Sequence, residues 1–384
     1  MAVGAPSRNA FVFVAGTRPE ALKLAPVILD LARLGQPTLL VATGQHRELL
    51  AGALAAFGLV PDHDLDIMRP GQSPADVVGQ LVPLLARYFD KVQPMAVVVQ
   101  GDTASAFAGA QAAFYARAPL IHIEAGLRSR GAEPFPEEGH RRFIGQLADV
   151  HFAPTAAARA ALLAEGIAAE TIHVTGNTGI DALHLMQARL VQDPALAAVI
   201  EQRFAGIDRQ RPLILVTAHR RENHGARLAA VSAAVGVLAA EAEMVVTLHP
   251  NPAVSGPMIA VLGGRPGVHL LPPLHYAEFV WLMGQATLAL TDSGGVQEEA
   301  PALGLPVLVL RDVTERPEGV ASGNARLVGT DTGAIVAAVR GLLADGAGIG
   351  RMAKAALPYG SGNAARQIVD VMLARFGSVQ AAAE

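Results

Sequence analysis

Cationic side chains directly follow many of the short apolar segments of this sequence. The polar stretches after these segments read GTRPE, TGQHRE, GDT, EAGLR, TGN, HRREN, HPNP, DSGGVQEE and RDVTERPE. Each stretch taken singly fits an ordinary turn or helix cap, but turn chemistry does not require arginine. Because so many cations share this position, the set indicates a site for an anionic ligand. The cations are Arg18, Arg128, His219, Arg220, Arg221, Arg311 and Arg316.

The segment TDSGGVQEEAPALGLPVLVL carries the clearest signal for a phosphate site. Ser293, Gly294 and Gly295 follow an apolar strand, and a helix is predicted to begin at Val296. Two glycines let backbone amides approach a ligand closely, and a helix N-terminus offers unpaired N–H groups. The segment therefore predicts a diphosphate site.

Two charged residues near this segment extend the prediction. Glu299, one turn into the helix, is placed to accept hydrogen bonds from ribose hydroxyls, although it also fits an ordinary solvated carboxylate at a helix start. Arg316, in TERPE, is placed to close over the ligand as a charged clamp.

The apolar segments themselves predict two parallel sheets. They are apolar on both faces and alternate with helical patterns, as in sheets covered by helices on both sides. At 384 residues the chain is long for one core, so two doubly wound domains are expected. The boundary is predicted near residues 175–183. The segments span residues 11–15, 38–43, 96–100, 120–124, 150–153 and 172–175, and then 213–217, 244–248, 268–271, 286–291 and 306–310.

Composition narrows the function classes. A net charge of −4 gives no broad positive field for nucleic acid or an anionic membrane, and the lack of cysteine excludes disulfides and thiolate metal sites. The N-terminus has no signal-peptide pattern and no segment is long and apolar enough to span a bilayer, so a cytoplasmic location is expected. GIGRMA and GSGNAA match a loose GxGxxA pattern but follow no strand, so no nicotinamide cofactor is predicted, and no histidine cluster suggests a metal.

Taken together, the motifs resemble the non-hydrolysing UDP-N-acetylglucosamine 2-epimerases of bacteria. The shared motifs are GTRPEALK, QHRE, QGDT, EAGLRS, PFPEE, APT, TGNTGIDAL, AHRREN, TDSGGVQEEAP and RDVTERPE, in the family's order, from about residue 11 to 376. The resemblance implies a GT-B type α/β fold, with two Rossmann-like domains and an active site in the cleft between them. It places the domains at 1–178 and 179–362, with a last helix at 363–384 packed back on the first.

The resemblance also implies an activity and a set of site residues. The activity is reversible C2 epimerisation of UDP-GlcNAc and UDP-ManNAc without cofactor or metal, in a homodimer that supplies polysaccharide synthesis. The matching catalytic positions are Lys23, Asp102, Glu124, Glu137 and His219. The positions that match substrate and UDP contacts are Arg18, Phe279, Ser293, Gly294, Gly295, Glu299 and Arg316. Gln45, Arg220 and His249, together with Glu137, match residues lining an activating UDP-GlcNAc site.

The chemistry of the substrate favours elimination. The C2 proton is not next to a carbonyl, but loss of UDP from C1 makes it acidic enough for a positioned carboxylate. We assign proton transfer to Asp102 and Glu137 and a positioning role to Glu124, with base and acid left open. Three alternatives remain: a 2-epimerase of a modified UDP-sugar, a hydrolysing 2-epimerase and a GT-B glycosyltransferase.

The sequence departs from the family pattern at four places. The loop 128–136 is one residue shorter, and His140 replaces a common asparagine in PEExxR. In the activator site, Glu48 replaces a glutamine and Gly71 stands where an arginine is usual, with Arg69 two residues away. Weak activation by UDP-GlcNAc is therefore expected.

Overall fold

The chain forms two compact units. The computed structural model describes residues 9–45, 47–69, 71–129, 134–354 and 357–377. The first unit contains the residues up to Ala182 and those from Tyr359 onward, and the second contains Leu183–Pro358. The sequence-based boundaries, after residues 178 and 362, lie within a few residues of these points.

Each unit is built on a parallel sheet. Over the described residues the first sheet has seven strands in the order β3-β2-β1-β4-β5-β6-β7, and the second has six in the order β10-β9-β8-β11-β12-β13. All neighbouring strands run parallel. The strands are β1 (Phe11–Ala15), β2 (Thr38–Ala42), β3 (His63–Asp64), β4 (Ala96–Gln100), β5 (Leu120–Ile123), β6 (Val150–Ala153), β7 (Ile172–Val174), β8 (Leu213–Thr217), β9 (Glu243–Thr247), β10 (Val268–Leu271), β11 (Leu288–Thr291), β12 (Val307–Val309) and β13 (Ala325–Leu327).

Helices connect these strands and cover the sheets, since the parallel pairs require crossover connections. In the described part of the chain they are α1 (Arg18–Arg33), α2 (Arg47–Ala55), α3 (Pro74–Val92), α4 (Ala104–Tyr115), α5 (Glu137–Leu147), α6 (Ala156–Ala164), α7 (Thr178–Gln192), α8 (Pro194–Arg203), α9 (Ala226–Leu238), α10 (Pro252–Leu262), α11 (Tyr276–Gln285), α12 (Gly294–Glu299), α13 (Pro317–Ala321), α14 (Thr332–Ala344), α15 (Gly346–Ala353) and α16 (Ala364–Phe376).

The eleven apolar segments all contain strands, whereas β3 and β13 were not predicted. The central strands β1, β4 and β8 are buried along their whole length, which explains their uninterrupted apolar character. The two missed strands are short edge strands, with two and three residues, and β3 is exposed. An exposed edge needs little apolar sequence, so its pattern is weak.

Strand order reverses at one point in each sheet. In the first unit this switch lies between β1 and β4, and in the second between β8 and β11. Loops that leave the carboxyl ends of such strands diverge and open a crevice where ligands bind. The loops concerned are the turns that carry GTRPE, QGDT, AHRREN and TDSGG, so topology places these four motifs at ligand-binding positions.

The last described helix belongs to the first unit. Its N-terminus is held by Asp181 of α7, whose carboxylate accepts hydrogen bonds from the backbone N–H groups of Ala364 at 3.2 Å and Ala365 at 3.0 Å. Residues 378–384 of the predicted final helix lie outside the described residues. No single described helix is long and apolar enough to cross a membrane; only α14 and α15 taken together, bent by 94°, reach that length and composition.

The Asp181 contact predicts a pH-dependent effect of Asp181→Asn on stability. Burial raises the pKa of Asp181 from 3.8 to about 6, against the opposing effect of the two N–H donors. The folded protein therefore binds this proton more tightly than the unfolded chain, and the resulting stabilisation is lost as the pH rises through 6. Wild type should lose about 1.4 kcal/mol from this group between pH 5 and pH 8.

Urea unfolding of both proteins at the two pH values measures this effect. Asparagine does not titrate, so the stability of Asp181→Asn relative to wild type should improve by that amount at pH 8. Other titrating groups are common to both proteins and cancel. A stability difference that is equal at pH 5 and pH 8 would contradict the assignment.

Candidate active site

A buried carboxylate joins the two switch-point turns of the first unit. Glu20 accepts hydrogen bonds from the backbone N–H groups of Gly16 at 2.9 Å and Thr17 at 2.7 Å, and from the Thr103 hydroxyl at 2.6 Å. Burial raises its pKa. Arg18, half-buried, is the first residue of α1 and follows this turn directly. Glu20 thus fixes the turn before Arg18 against the turn that carries Asp102.

Lys23 and Glu124 form a partly buried ion pair in the first unit. The other carboxylate oxygen of Glu124 accepts a hydrogen bond from the side-chain amide of Gln100. Glu124 also has a positive φ of 64°, which is uncommon for a residue with a side chain and is often found at functional sites. With both oxygens engaged, Glu124 is suited to support its neighbours.

Asp102 and Glu137 differ from Glu124 in their partners. Asp102 follows Gly101, whose φ of 70° turns the chain at the end of β4, and its carboxylate pairs with Arg141 of α5. Glu137 is the first residue of α5. Its Oε2 atom is buried and has no hydrogen-bond partner among the described residues. A buried carboxylate oxygen normally has a partner, so this atom is a candidate contact for a ligand.

In the second unit, Asp292 holds the turn after β8 against the turn after β11. Fully buried, it accepts hydrogen bonds from the backbone N–H groups of His219 and Arg220 and from the side-chain amide of Asn223, at 2.8 to 3.1 Å. His219 Nδ1 lies 3.5 Å from Asp292. Its ring stacks on His249 with 5.7 Å between centroids. Burial lowers the pKa of His219, while the Asp292 charge acts in the opposite direction.

The glycine loop is part of the helix that follows it. The predicted start of this helix at Val296 is wrong: α12 begins at Gly294, because Ser293 is extended and occupies the N-cap position. The N–H groups of both glycines therefore belong to the first helical turn, where no backbone acceptor precedes them. The Ser293 side chain makes no capping hydrogen bond.

Two guanidinium groups converge on this loop. Nη2 of Arg316 and Nη2 of Arg220 lie 3.5 Å and 3.6 Å from the position that a Cβ atom would occupy on Gly294. Arg316 is held in place by an ion pair with the buried Glu298. The loop thus combines backbone N–H donors with two cations, which is the donor set that a diphosphate requires.

The remaining predicted residues are distributed between the units. Glu299 accepts a weak hydrogen bond from the Tyr276 hydroxyl at 3.4 Å, and Phe279 is half-buried in the first turn of α11. Gln45, in the first unit, accepts a hydrogen bond from Ser105 at 2.7 Å, while His249, in the second, accepts one from the backbone of Asn251 at 3.1 Å.

Two of the cations that follow strands form ion pairs within their own unit. Arg128 forms a bidentate pair with Glu165 at 2.7 and 2.8 Å. Arg311 pairs with Glu222 and Glu315. Both arginines are 7% exposed, and their guanidinium groups are engaged by these carboxylates. The side chain of Arg221 lies outside the described part of the chain, as do residues 130–133 of the loop 128–136 that was predicted to be one residue shorter.

Sequence reasoning did not assign Glu20, Arg141 or Asp292. Glu20 stands at the third position of α1, where an acid commonly closes a capping box, and Asp292 directly follows a strand. These local signals identify a turn or cap but do not reveal which second turn the carboxylate binds. Arg141 gives no local signal, because its partner Asp102 lies 39 residues away.

Fold and site together define a class of protein. The chain is a two-domain α/β protein of GT-B type, with polar and charged groups at the switch point of each Rossmann-like sheet. The predicted fold class is therefore confirmed.

Comparison with known proteins identifies the family. The UDP-N-acetylglucosamine 2-epimerase family matches residues 33–373. The chain is 44% identical to the UDP-N-acetylglucosamine 2-epimerase of Yersinia pestis over 364 residues, covering 94% of this chain and 97% of the relative. The Bacillus subtilis enzyme of the same name is 43% identical, covering 95% of both chains.

A solved structure supports the same family assignment. The crystal structure of the Neisseria meningitidis UDP-GlcNAc 2-epimerase bound to UDP-GlcNAc has a TM-score of 0.90 and 42% identity, covering 96% of this chain and all of that one. The chain belongs to the UDP-N-acetylglucosamine 2-epimerase family, as the resemblance of its motifs predicted.

Proposed function

We propose that the protein interconverts UDP-GlcNAc and UDP-ManNAc by eliminating UDP and adding it back, without net hydrolysis. Family membership and the names of the relatives support the overall reaction. The observation that carries the proposed route is the buried Oε2 of Glu137, which has no partner among the described residues. This carboxylate lies on the same unit as Asp102, so one unit supplies both groups proposed for proton transfer.

The bond changes follow from the chemistry of the sugar. The bond between C1 and the UDP oxygen breaks, its electron pair leaves with UDP, and one carboxylate takes the C2 proton, which gives 2-acetamidoglucal. A second carboxylic acid then returns a proton to C2 on the opposite face, while UDP attacks C1. Each step conserves atoms and electrons, and the net change is inversion at C2.

Residues of the second unit are proposed to hold the leaving group. The first-turn amides of α12 and the guanidinium groups of Arg220 and Arg316 stabilise the diphosphate, and His219 stabilises the anion that develops on departure. Arg18, on the first unit, is proposed as a further contact to the substrate. Lys23 and Glu124 position the carboxylates through their ion pair.

Incubation with UDP-GlcNAc alone in deuterated water, followed by NMR, tests this function. The expected product is UDP-ManNAc with deuterium at C2, with slow labelling of the recovered substrate. An unlabelled product would exclude elimination. Free ManNAc with UDP would indicate a hydrolysing enzyme, and turnover only after an acceptor is added would indicate a glycosyltransferase. Repeating the assay with C3- or C6-modified UDP-sugars tests the remaining alternative.

Arg316→Ala is expected to weaken UDP binding by about 10- to 100-fold. The substitution removes a charge-assisted hydrogen bond to the diphosphate, and such bonds contribute about 1.5–3 kcal/mol. Calorimetric titration with UDP measures the change, and circular dichroism verifies folding, because the substitution also removes the ion pair between Arg316 and the buried Glu298. Arg351→Ala removes an exposed arginine from the same unit and serves as control. An affinity within threefold of wild type would remove Arg316 from the site.

The activator site is expected to be weak. The exposed Glu48 in the first turn of α2 carries a carboxylate that only accepts hydrogen bonds, and the exposed Gly71 has no side chain, so neither supplies a donor side chain to a second diphosphate. UDP-ManNAc alone should therefore be turned over, and the dependence on UDP-GlcNAc should be at most mildly sigmoidal. The double variant Glu48→Gln with Gly71→Arg should increase sigmoidicity. A reverse reaction that stays silent until a trace of UDP-GlcNAc is added would contradict this prediction.

The resemblance also predicts a homodimer in the cytoplasm that supplies polysaccharide synthesis. These points stay predictions. Size-exclusion chromatography with light scattering measures the oligomeric state directly.

A further inference from the structure

Two successive backbone carbonyls in the turn after β4 each accept a hydrogen bond from a histidine ring. The carbonyl oxygen of Gly101 lies 2.8 Å from Nε2 of His122, and that of Asp102 lies 2.8 Å from Nδ1 of His140. A carbonyl oxygen can only accept, so the ring nitrogen carries the proton in both contacts. The turn that presents the Asp102 carboxylate is thus held by two imidazole N–H donors.

Both rings are fixed by their surroundings. His122 and His140 are 1% and 7% exposed. The His140 ring stacks on Phe107 of α4 with 4.6 Å between centroids, and α4 begins two residues after Asp102. Burial lowers the pKa of His122 to about 3, so its ring is neutral at physiological pH and has a single N–H to donate. Its Nδ1 has no partner among the described residues, so Gly101 receives its one donated hydrogen bond.

Each histidine lies on an element that presents another carboxylate of the proposed site. His122 is on β5, two residues before Glu124, and His140 is on α5, three residues after Glu137. Asp102 lies on the turn that both histidines bind. The two hydrogen bonds therefore connect the three elements that carry Glu124, Asp102 and Glu137.

We propose that His122 and His140 are positioning residues, here called the histidine clamp, that fix the Asp102 carboxylate relative to Glu124 and Glu137. The clamp acts through the backbone of the Asp102 turn and touches no substrate. Its expected kinetic effect rests on the proposed function, because proton transfer is sensitive to misplacement of a carboxylate by about 1 Å.

Paired amide substitutions test the clamp, because the two hydrogen bonds use different ring nitrogens. The side-chain amide of asparagine reaches the position of Nδ1, whereas that of glutamine reaches the position of Nε2. His140→Asn should therefore keep kcat within about threefold of wild type, and His140→Gln should lower it at least ~10-fold with little change in KM. At His122, where the hydrogen bond uses Nε2, the effects of the two substitutions should be reversed. His122→Gln should stay active, and His122→Asn should be impaired.

A third buried histidine provides the matched control. His151 of β6 is 1% exposed and makes a 2.8 Å hydrogen bond from Nε2 to a backbone carbonyl, that of Gly145 in α5, which is not part of the Asp102 turn. His151→Asn and His151→Gln should have equal kcat, even if both lower the melting temperature. Equal kcat for the asparagine and glutamine variants at His140 and at His122 would overturn the proposal.

A spectroscopic measurement separates the clamp from the proposed function. In two-bond ¹H–¹⁵N spectra of the histidine-labelled wild-type protein, Nδ1 of His140 and Nε2 of His122 should carry protons, with assignments from the variants. An unprotonated nitrogen at either contact would overturn the clamp whatever the activity. If wild type does not turn over UDP-GlcNAc, the proposed function fails, and these spectra still decide whether the clamp exists.

Discussion

Glu137→Gln is expected to lower kcat at least ~100-fold while leaving the fold intact. The amide has the shape of the carboxylate but cannot take or return a proton at neutral pH. The Oε2 atom of Glu137 has no hydrogen-bond partner among the described residues, so the substitution removes no contact made by that atom. The melting temperature should therefore be unchanged or slightly higher.

Asp102→Asn should lower kcat to a similar degree but also weaken the fold, because it breaks the ion pair with Arg141. Single-turnover kinetics with UDP-GlcNAc and thermal unfolding measure the two effects. Glu170→Gln changes an exposed glutamate of the same unit and is the control. If Glu137→Gln and Asp102→Asn both retain near-normal turnover, the proton-transfer assignment is wrong.

His219→Ala is expected to lower kcat by about 10²- to 10³-fold, the effect typical of losing one donor to a developing anion. The turn should keep its shape, because Asp292 still binds the backbone N–H groups of residues 219 and 220 and the side chain of Asn223. The α12 amides and two arginines are also proposed to bind UDP, so the affinity for UDP should fall much less than kcat.

Initial rates with UDP-GlcNAc and calorimetric titration with UDP measure this split between catalysis and binding. His224→Ala is the matched control, since His224 is exposed in the same turn and its ring makes a 3.3 Å hydrogen bond to the backbone carbonyl of His219. If His219→Ala lowers the affinity for UDP by the same factor as kcat, His219 only binds UDP and has no separate role in its departure.

The motifs of the candidate site could be placed on the fold from the sequence because parallel sheets tie local pattern to position. Strands such as β1 and β8 are buried on both faces and must be apolar throughout, so they are recognisable, and polar residues that follow them must lie at the carboxyl edge. Two strand sets of this kind predicted two domains. The glycine loop at Gly294 and Gly295 likewise follows from the backbone approach that a diphosphate needs.

Only the tertiary structure decided which of these polar side chains are placed to contact a ligand and which are engaged in ion pairs elsewhere. Arg128 and Arg316 occupy the same kind of position in the sequence, yet Arg128 is committed to Glu165 whereas Arg316, held by Glu298, reaches the loop at Gly294. Asp102, Glu124 and Glu137 also could not be distinguished by their sequence positions. Packing gives Glu124 a partner on each of its two oxygens. It leaves Oε2 of Glu137 buried without a hydrogen-bond partner among the described residues.

The physical reason is the separation of the partners along the chain. Lys23 and Glu124 are 101 residues apart, and His140 and Asp102 are 38 apart. Strand periodicity and turn chemistry act over a few neighbouring residues, so the sequence by itself determined the elements and the sheet edge at which the candidate site lies. Which side chains meet there depends on how separate elements pack, and that pairing sets the burial, charge and hydrogen bonding of each group.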